Sequence, residues 1–344
     1  MKKILCKLMI ISIVMMFMSG GAVADEFQKI KLRFANAVPA NFPTSKADIF
    51  IAEELEKRTN GAVTVKMFHG GTLGSPKEMI DLIGDGAIDM GNFPSTYVFS
   101  RLPMTQFFSI PTVYPNLAIN GALMRAGFES SKKMAEDFKK NNLYPFNFRA
   151  LPVYNIISKK PITKMEDFKG LKIRTFGTVA PKMFKAVGAI PVNIQFHEVY
   201  EGLQRGTVDA AFTSTAAGYA YKLQEVAKYI IDLPLGADPC YQSFVNLDVY
   251  NSWPQNLKDL FNQIVKEAEA LSNKVHSGFG QYATAEMLKA GVKMHHFEDA
   301  DKFYNAIPDP IQITYESVIN QGKSYKAPAK KYADWLRAEI AKLK

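Results

Sequence analysis

The stretch KPITKMEDFKGLKIRTFGTVAPKMFKAVGAIPVNIQFHEVYEGLQRGTVDAAFTS (Lys160–Ser214) decides the fold. Leu171 and Ile173 mark a short apolar strand that ends on one arginine, Arg174, before a loop and a helix. A short segment leads to an amphipathic helix and a second strand, Val208–Phe212. Strand, helix, strand is the signature of an α/β sheet, and such sheets place ligands at the carboxyl ends of their strands. An arginine there presents a rigid fork of donors matched to a carboxylate. That pairing points to a receptor for an organic acid.

Outward from this stretch, the amino terminus reads as an export leader. Lys2, Lys3 and Lys7 form a basic start, Leu8–Met18 an apolar run, and Ala22-Val23-Ala24 a cleavage site before Asp25. The apolar run is too short for a membrane anchor. Cleavage after Ala24 would leave 320 of the 344 residues, enough for two domains, and the loss of three lysines would lower the formal charge from +9 to +6. A periplasmic location is therefore expected. Cys240 is the one cysteine beyond the leader, so no intramolecular disulfide can form, and it reads as a buried, inert thiol. The basic residues are scattered, without the clustering of a nucleic-acid surface, and a mildly positive body favours anionic solutes.

Strand patterning recurs at Ile30–Asn36, Val63–Phe68 and Ala87–Gly91, with helices over Lys46–Thr59 and from Ser75-Pro76 to Asp85 between them. Thr44 or Ser45 reads as the first helix's N-cap. This β-α-β-α-β order predicts a parallel sheet. Helices follow near Asn116–Gly127 and Ser130–Asn141, then a strand pair, Leu143–Ala150 and Val153–Ser158. Further strands are expected at Tyr229–Leu233, Gln242–Leu247 and Val292–Phe297. A long helical region opens at Ser252-Trp253-Pro254 and reaches Ala290, with Gly278 and Gly280 as expected bend points. Helices near Asn305–Gln321 and Ala327–Leu343 close the chain. With no low-complexity linker, the domains must be joined through strands. The expected division puts residues 25–151 and 240–279 in a first lobe and 152–239 and 280–344 in a second, both α/β, spanned by the long helix.

Three segments resemble the periplasmic solute-binding subunits of tripartite ATP-independent periplasmic (TRAP) transporters, the DctP-like family. They are NFPTSKADIFIAEELEKRTNGAVTVKMFHGGTLGSPKEMIDLIGDGAIDMG (Asn41–Gly91), KPITKMEDFKGLKIR (Lys160–Arg174) and GAIPVNIQFHEVYEGLQRGTVDAA (Gly188–Ala211). The resemblance implies two α/β lobes around a cleft, a helix spanning both, closure on a small organic acid, and delivery to small and large membrane-embedded permease subunits. It implies neither ATP hydrolysis nor chemistry on the solute. No metal or other cofactor is expected, and two-lobed receptors of this kind act as monomers.

In that family the arginine matching Arg174 pairs with the solute carboxylate, and the aromatic matching Phe196 packs on the solute. The family's second arginine falls, aligned on Lys160-Pro161-Ile162, on Tyr154. Arg149 is then either a second cation in the cleft or a strand-end residue pointing away. A single cation argues for a monocarboxylate over a dicarboxylate. Where many relatives carry an asparagine after the second strand, this chain has Thr213, whose hydroxyl can still donate. Phe93, Tyr97, Tyr154, Phe212, Tyr219 and Tyr241 stand in loops or at strand ends that can face a cleft, where they would suit an apolar or aromatic acid. Aromatics at such positions otherwise fill the core. Asn36 and Ser95 are candidate polar contacts from the first lobe, or turn residues satisfying their own backbone.

Two other readings stand beside this one. A receptor serving an ATP-driven importer or a sensor kinase would share the two-lobed plan. An exported α/β enzyme would need a nucleophile or a carboxylate pair, and no G-x-S-x-G elbow occurs.

Overall fold

The computed structural model describes residues 27–236 and 240–343. The leader and the side chain of Cys240 therefore lie outside the described residues. Two sheets organise the chain. The first is built from β1 (Ile30–Asn36), β2 (Val63–Phe68), β3 (Met90–Phe93) and β4 (Leu143–Ala150), with a late strand, Cys240–Asn246, inserted between β3 and β4. β1 pairs in parallel with both β2 and β3, as the helical connections Pro43–Arg58 and Met79–Gly84 require. The late strand runs antiparallel to its two neighbours.

The second sheet contains β5 (Asn155–Ser158), β6 (Lys172–Thr175), β7 (Ile190–Asn193), β8 (Ala210–Thr213) and β9 (Tyr229–Asp232). Numbered on from there, Cys240–Asn246 is β10 and Lys293–His296 is β11, and the second sheet's order is β11-β9-β5-β8-β6-β7. β7 escapes sequence reading because it is a four-residue edge strand that carries Pro191 and leaves Ile190 half exposed. The single helix expected over Asn305–Gln321 is two, Ala300–Ala306 and Pro310–Ile319. Pro308 and Pro310 force the break, and Asp309 caps the second helix through the amides of Ile311 and Gln312.

The helix Gln255–Lys289 runs unbroken for 35 residues. Leu257, Phe261, Ile264, Val265 and Ala268 pack under the first sheet, and Met287 enters a core of the second. At ~1.5 Å per residue it is long enough to join both lobes. One assignment changes: the helices Pro310–Ile319 and Lys326–Ala341 pack on the first lobe. Ile311, Val318, Ala329 and Leu336 share a core with Phe107, Phe108 and Phe148, whereas the expected division put this end of the chain in the second lobe. Their apolar faces meet the 3-10 segment Pro103–Phe108, which sequence patterning did not reveal.

The crossing segments at Tyr154 and Gly236 are tied to each other. The Tyr154 amide donates to the Gly236 carbonyl at 2.8 Å, and the Leu235 amide to the Tyr154 carbonyl at 2.8 Å. Gly236 has φ +85°, and a Cβ there would lie 2.9 Å from the Thr112 nitrogen, so only glycine fits the crossing.

A buried ion pair stitches the first lobe. Asp48 on the helix after β1 accepts from Arg149 Nη2 at 2.8 Å, Asn92 Nδ2 at 2.6 Å, Asn147 Nδ2 at 2.9 Å and Ser243 Oγ at 2.6 Å. Asp48 and Arg149 are each 1% exposed. These partners come from the helix, β3, β4 and β10, so one carboxylate holds four elements. Asp48→Ala strands a buried guanidinium and is expected to cost about 3–5 kcal/mol. Urea unfolding followed by circular dichroism measures this, with the exposed Glu53→Ala on the same helix as a control expected to stay near wild type.

Candidate functional site

The carboxyl ends of the parallel strands in the two sheets face one cavity of 370 Å³. The first lobe supplies the loops after β1 (Ala37–Phe42), β2 (Gly70–Pro76) and β3 (Pro94–Tyr97). The second supplies Arg174 and Phe176 at β6, Gln195, Phe196 and His197 after β7, and Ala217 and Tyr221 after β8. Leu151, Tyr154 and Tyr241 come from the crossing segments. Among the described residues lining the cavity, Arg174 is the one arginine or lysine, and there is no aspartate or glutamate.

Arg174 sits one residue from the end of β6, opposite Val192 of β7 and Ala211 of β8. Its Nη1 donates to the Phe212 carbonyl at 3.0 Å and its Nε to the Ile194 carbonyl at 3.3 Å. The guanidinium lies 4.7 Å from the Phe176 ring centre and 5.2 Å from that of Phe196. Two carbonyls and two rings thus fix a fork that is 2% exposed. A desolvated, pre-oriented guanidinium is well suited to binding a carboxylate.

The walls around it are aromatic. The Tyr154 ring meets Phe212 at 4.9 Å and Phe176 at 5.9 Å between centres. Phe196 meets Tyr221 edge-on at 4.7 Å, and Tyr221 meets Phe42 of the other lobe at 6.3 Å. This last contact bridges the lobes beside the cavity. Burial holds the Tyr221 phenol above its ordinary pKa, and the nearby Tyr97 adds to the effect. Tyr241 is pushed up further by burial, then by Tyr97, Tyr221 and Tyr154, against a weaker opposing pull from Arg149. These phenols therefore stay protonated, as neutral donors.

Of the residues singled out in the sequence, Arg174, Phe196, Tyr154 and Tyr241 come together on this cavity, with Tyr97 beside them. The others do not line it. Arg149 is held in the Asp48 network, its Nη1 donating to the Asn147 carbonyl and to Ser243 Oγ, both at 3.0 Å. Phe93 stacks on Phe244 in the first-lobe core at 4.3 Å. Phe212 is core as well, although its carbonyl positions Arg174. Thr213 is fully buried opposite Asn155 in the β5–β8 ladder. Ser95 is fully buried at the start of a 3-10 turn whose neighbours Pro94, Thr96 and Tyr97 face the cavity instead. Tyr219 packs outside the cavity against Phe279 and Tyr282.

Asn36 is a turn residue. Its Oδ1 accepts from the Val38 amide and its Nδ2 donates to Ser45 Oγ, each at 3.1 Å. Ser45 in turn donates to the Pro39 carbonyl, so it braces the cavity loop, and Phe42 occupies the helix cap position expected for Thr44 or Ser45. Sequence reading missed Phe42, Phe176, Gln195 and Tyr221. Phe176 and Gln195 each lie within two residues of a named site residue, so the strand-end rule reaches them. Phe42 and Tyr221 carry no local signal.

Comparison with known proteins agrees with this geometry. Residues 34–315 match the family described as bacterial extracellular solute-binding protein, family 7 (DctP). The C4-dicarboxylate-binding periplasmic protein DctP of Rhodobacter capsulatus is 25% identical over 272 residues, covering 78% of this chain and 80% of that protein. A TRAP periplasmic solute-binding protein from Citrobacter koseri, solved with bound D-glucuronate, aligns with a TM-score of 0.72 at 25% identity, over 89% of this chain and 99% of that one. A TRAP periplasmic solute-binding protein from Roseobacter denitrificans shares the fold with a TM-score of 0.74 at 22% identity, over 88% of this chain and 99% of that one. On the match over residues 34–315, this chain belongs to the DctP family of bacterial extracellular solute-binding proteins.

Proposed function

We propose that this chain is the exported solute receptor of a TRAP transporter, and that it captures a monocarboxylate between its lobes and hands it unchanged to small and large permease subunits in the membrane. In this reading it is cleaved after Ala24, works in the periplasm as a monomer, and needs no cofactor. The observation that carries the proposal is Arg174, the one strong cation on a cavity lined by no carboxylate among the described residues. One carboxylate on the solute suits that single guanidinium fork. A second would meet Tyr154 and would lack a cationic partner.

The body of the acid would lie between aromatic walls. Phe176 and Phe196 offer flat apolar faces, and Tyr97, Tyr154, Tyr221 and Tyr241 offer phenols. The D-glucuronate bound by the Citrobacter koseri protein has a ring-sized body and one carboxylate, which supports this choice of solute class. An aromatic or apolar monocarboxylate would use the same walls without the phenols. Closure would be selected by the solute, because only the closed form lets both lobes touch it.

Three outcomes test the proposal. In a thermal-shift and calorimetric screen, monocarboxylates including D-glucuronate are expected to stabilise the chain more than C4 dicarboxylates, and to be recovered unchanged. Arg174→Ala and Arg174→Lys should both lose roughly a hundredfold or more in affinity, with the fold retained by circular dichroism and the unliganded melting temperature of Arg174→Ala lowered because two buried carbonyls lose their donor. Equal affinity in Arg174→Ala would remove the anchor. Tyr154→Arg should shift preference toward dicarboxylates, and a screen without that shift would show that Tyr154 does not set the charge count.

The phenols add a pH expectation. A raised pKa keeps the proton on above the ordinary value of about 10, so donation to a solute persists. Affinity should be flat from about pH 7 to about pH 9 and fall only beyond the ordinary tyrosine range. A fall centred near pH 8 in calorimetry would contradict neutral phenols at the site.

A further inference from the structure

A second groove, of 400 Å³, lies on the first lobe and shares no lining residue with the ligand cavity. It runs between the helices Lys132–Lys140 and Lys326–Ala341. Its walls are Ser130, Ser131, Ala327, Pro328 and Tyr332, with Trp335 half-buried, and its rim carries Lys132, Lys133 and Lys331. No carboxylate lines it among the described residues. Lys323 and Lys326 extend the basic rim along the adjoining turn and helix start.

The lysines divide into two kinds. Lys133 is spent inside the protein, paired with Asp137 at 2.8 Å and lying 4.4 Å from the Tyr325 ring centre. Lys132, Lys323, Lys326 and Lys331 are exposed, and among the described residues none of the four forms an ion pair. Nearby Lys330 is paired to Asp334 at 2.8 Å, so an available carboxylate is taken where it is in reach. Lys132 and Lys331 thus share the groove with Trp335, and Lys323 and Lys326 lie on the adjoining turn and helix start, while the exposed carboxylates Glu136 and Asp334 are paired with Lys133 and Lys330.

We propose that this face docks on an anionic lipid bilayer, its lysines meeting lipid phosphates while the Trp335 indole settles at headgroup depth. Each lysine held near an anionic surface gains attraction that ends within a Debye length, so four act together only on an extended negative plane. The four come from two helices and a turn, which suits a plane better than a single peptide strand. Indole rings favour the boundary between headgroups and water. The apolar faces of both helices are already committed to the first-lobe core, so the contact would be electrostatic and reversible. The ligand cavity would stay open to solute. The inference is independent of which acid the cleft takes.

The test uses the chain from Asp25 onward with vesicles of phosphatidylglycerol mixed into phosphatidylcholine, against phosphatidylcholine alone. Trp253 is 3% exposed, so a change in tryptophan emission reports on Trp335. Expected are co-sedimentation and a blue shift with the anionic vesicles only, both lost as salt rises from roughly 20 to 200 mM. Lys326→Glu/Lys331→Glu should weaken vesicle binding by roughly tenfold or more. Lys29→Glu/Lys31→Glu, the same charge change on exposed residues of another region, should leave it within about twofold. Circular dichroism should show both variants folded. The proposal is overturned by absence of vesicle binding or by equal weakening in the two double variants. It is also overturned if inorganic phosphate alone produces the emission shift, marking a free-anion site, or if poly-glutamate binds where vesicles do not, marking a protein-docking face.

Discussion

The site depends on how one guanidinium is held. Arg174 is aimed by the Phe212 and Ile194 carbonyls and flanked by the Phe176 and Phe196 rings. The chain contains a second buried arginine at a strand end, Arg149, and the contrast between them explains the division of labour. Asp48 neutralises Arg149, and that pair binds helix and strands into one lobe. Around Arg174 the cavity wall provides rings and carbonyl oxygens but no carboxylate among the described residues. Those carbonyls and rings hold the Arg174 guanidinium in one orientation at the cavity wall.

The rest of the fold delivers opposing strand ends to that point. Parallel strands in both sheets open toward the same space, and the crossing segments at Tyr154 and Gly236 are hydrogen bonded to each other. The helix Gln255–Lys289 packs against both lobes beside this crossing. A line of aromatic contacts leads from Arg174 through Phe196 and Tyr221 to Phe42 on the facing lobe.

Much of this was legible in the sequence, and the exceptions have physical reasons. The β-α-β-α-β order follows from apolar alternation broken by capped helices, and Arg174 follows from its place at a strand end. The role of Arg149 did not, because its partner Asp48 lies 101 residues away on a helix and only folding brings them together. Asn36 and Ser95 have the polarity of site residues, yet backbone turns bury both. Phe42 and Tyr221 come from different lobes and meet only through the fold, so no local pattern marks them. The last two helices were placed with the wrong lobe because amphipathic periodicity shows that a face is buried and not against which core.

The central claim is that a negative charge on the solute is what Arg174 recognises. Calorimetry of the wild-type chain with an acid that stabilises it, set against the neutral amide of that same acid, isolates this charge while keeping shape. Binding of the acid with loss of the amide by roughly a hundredfold is the expected result. Equal affinity for acid and amide would contradict it, since a site that ignores the charge has no use for a guanidinium at its base.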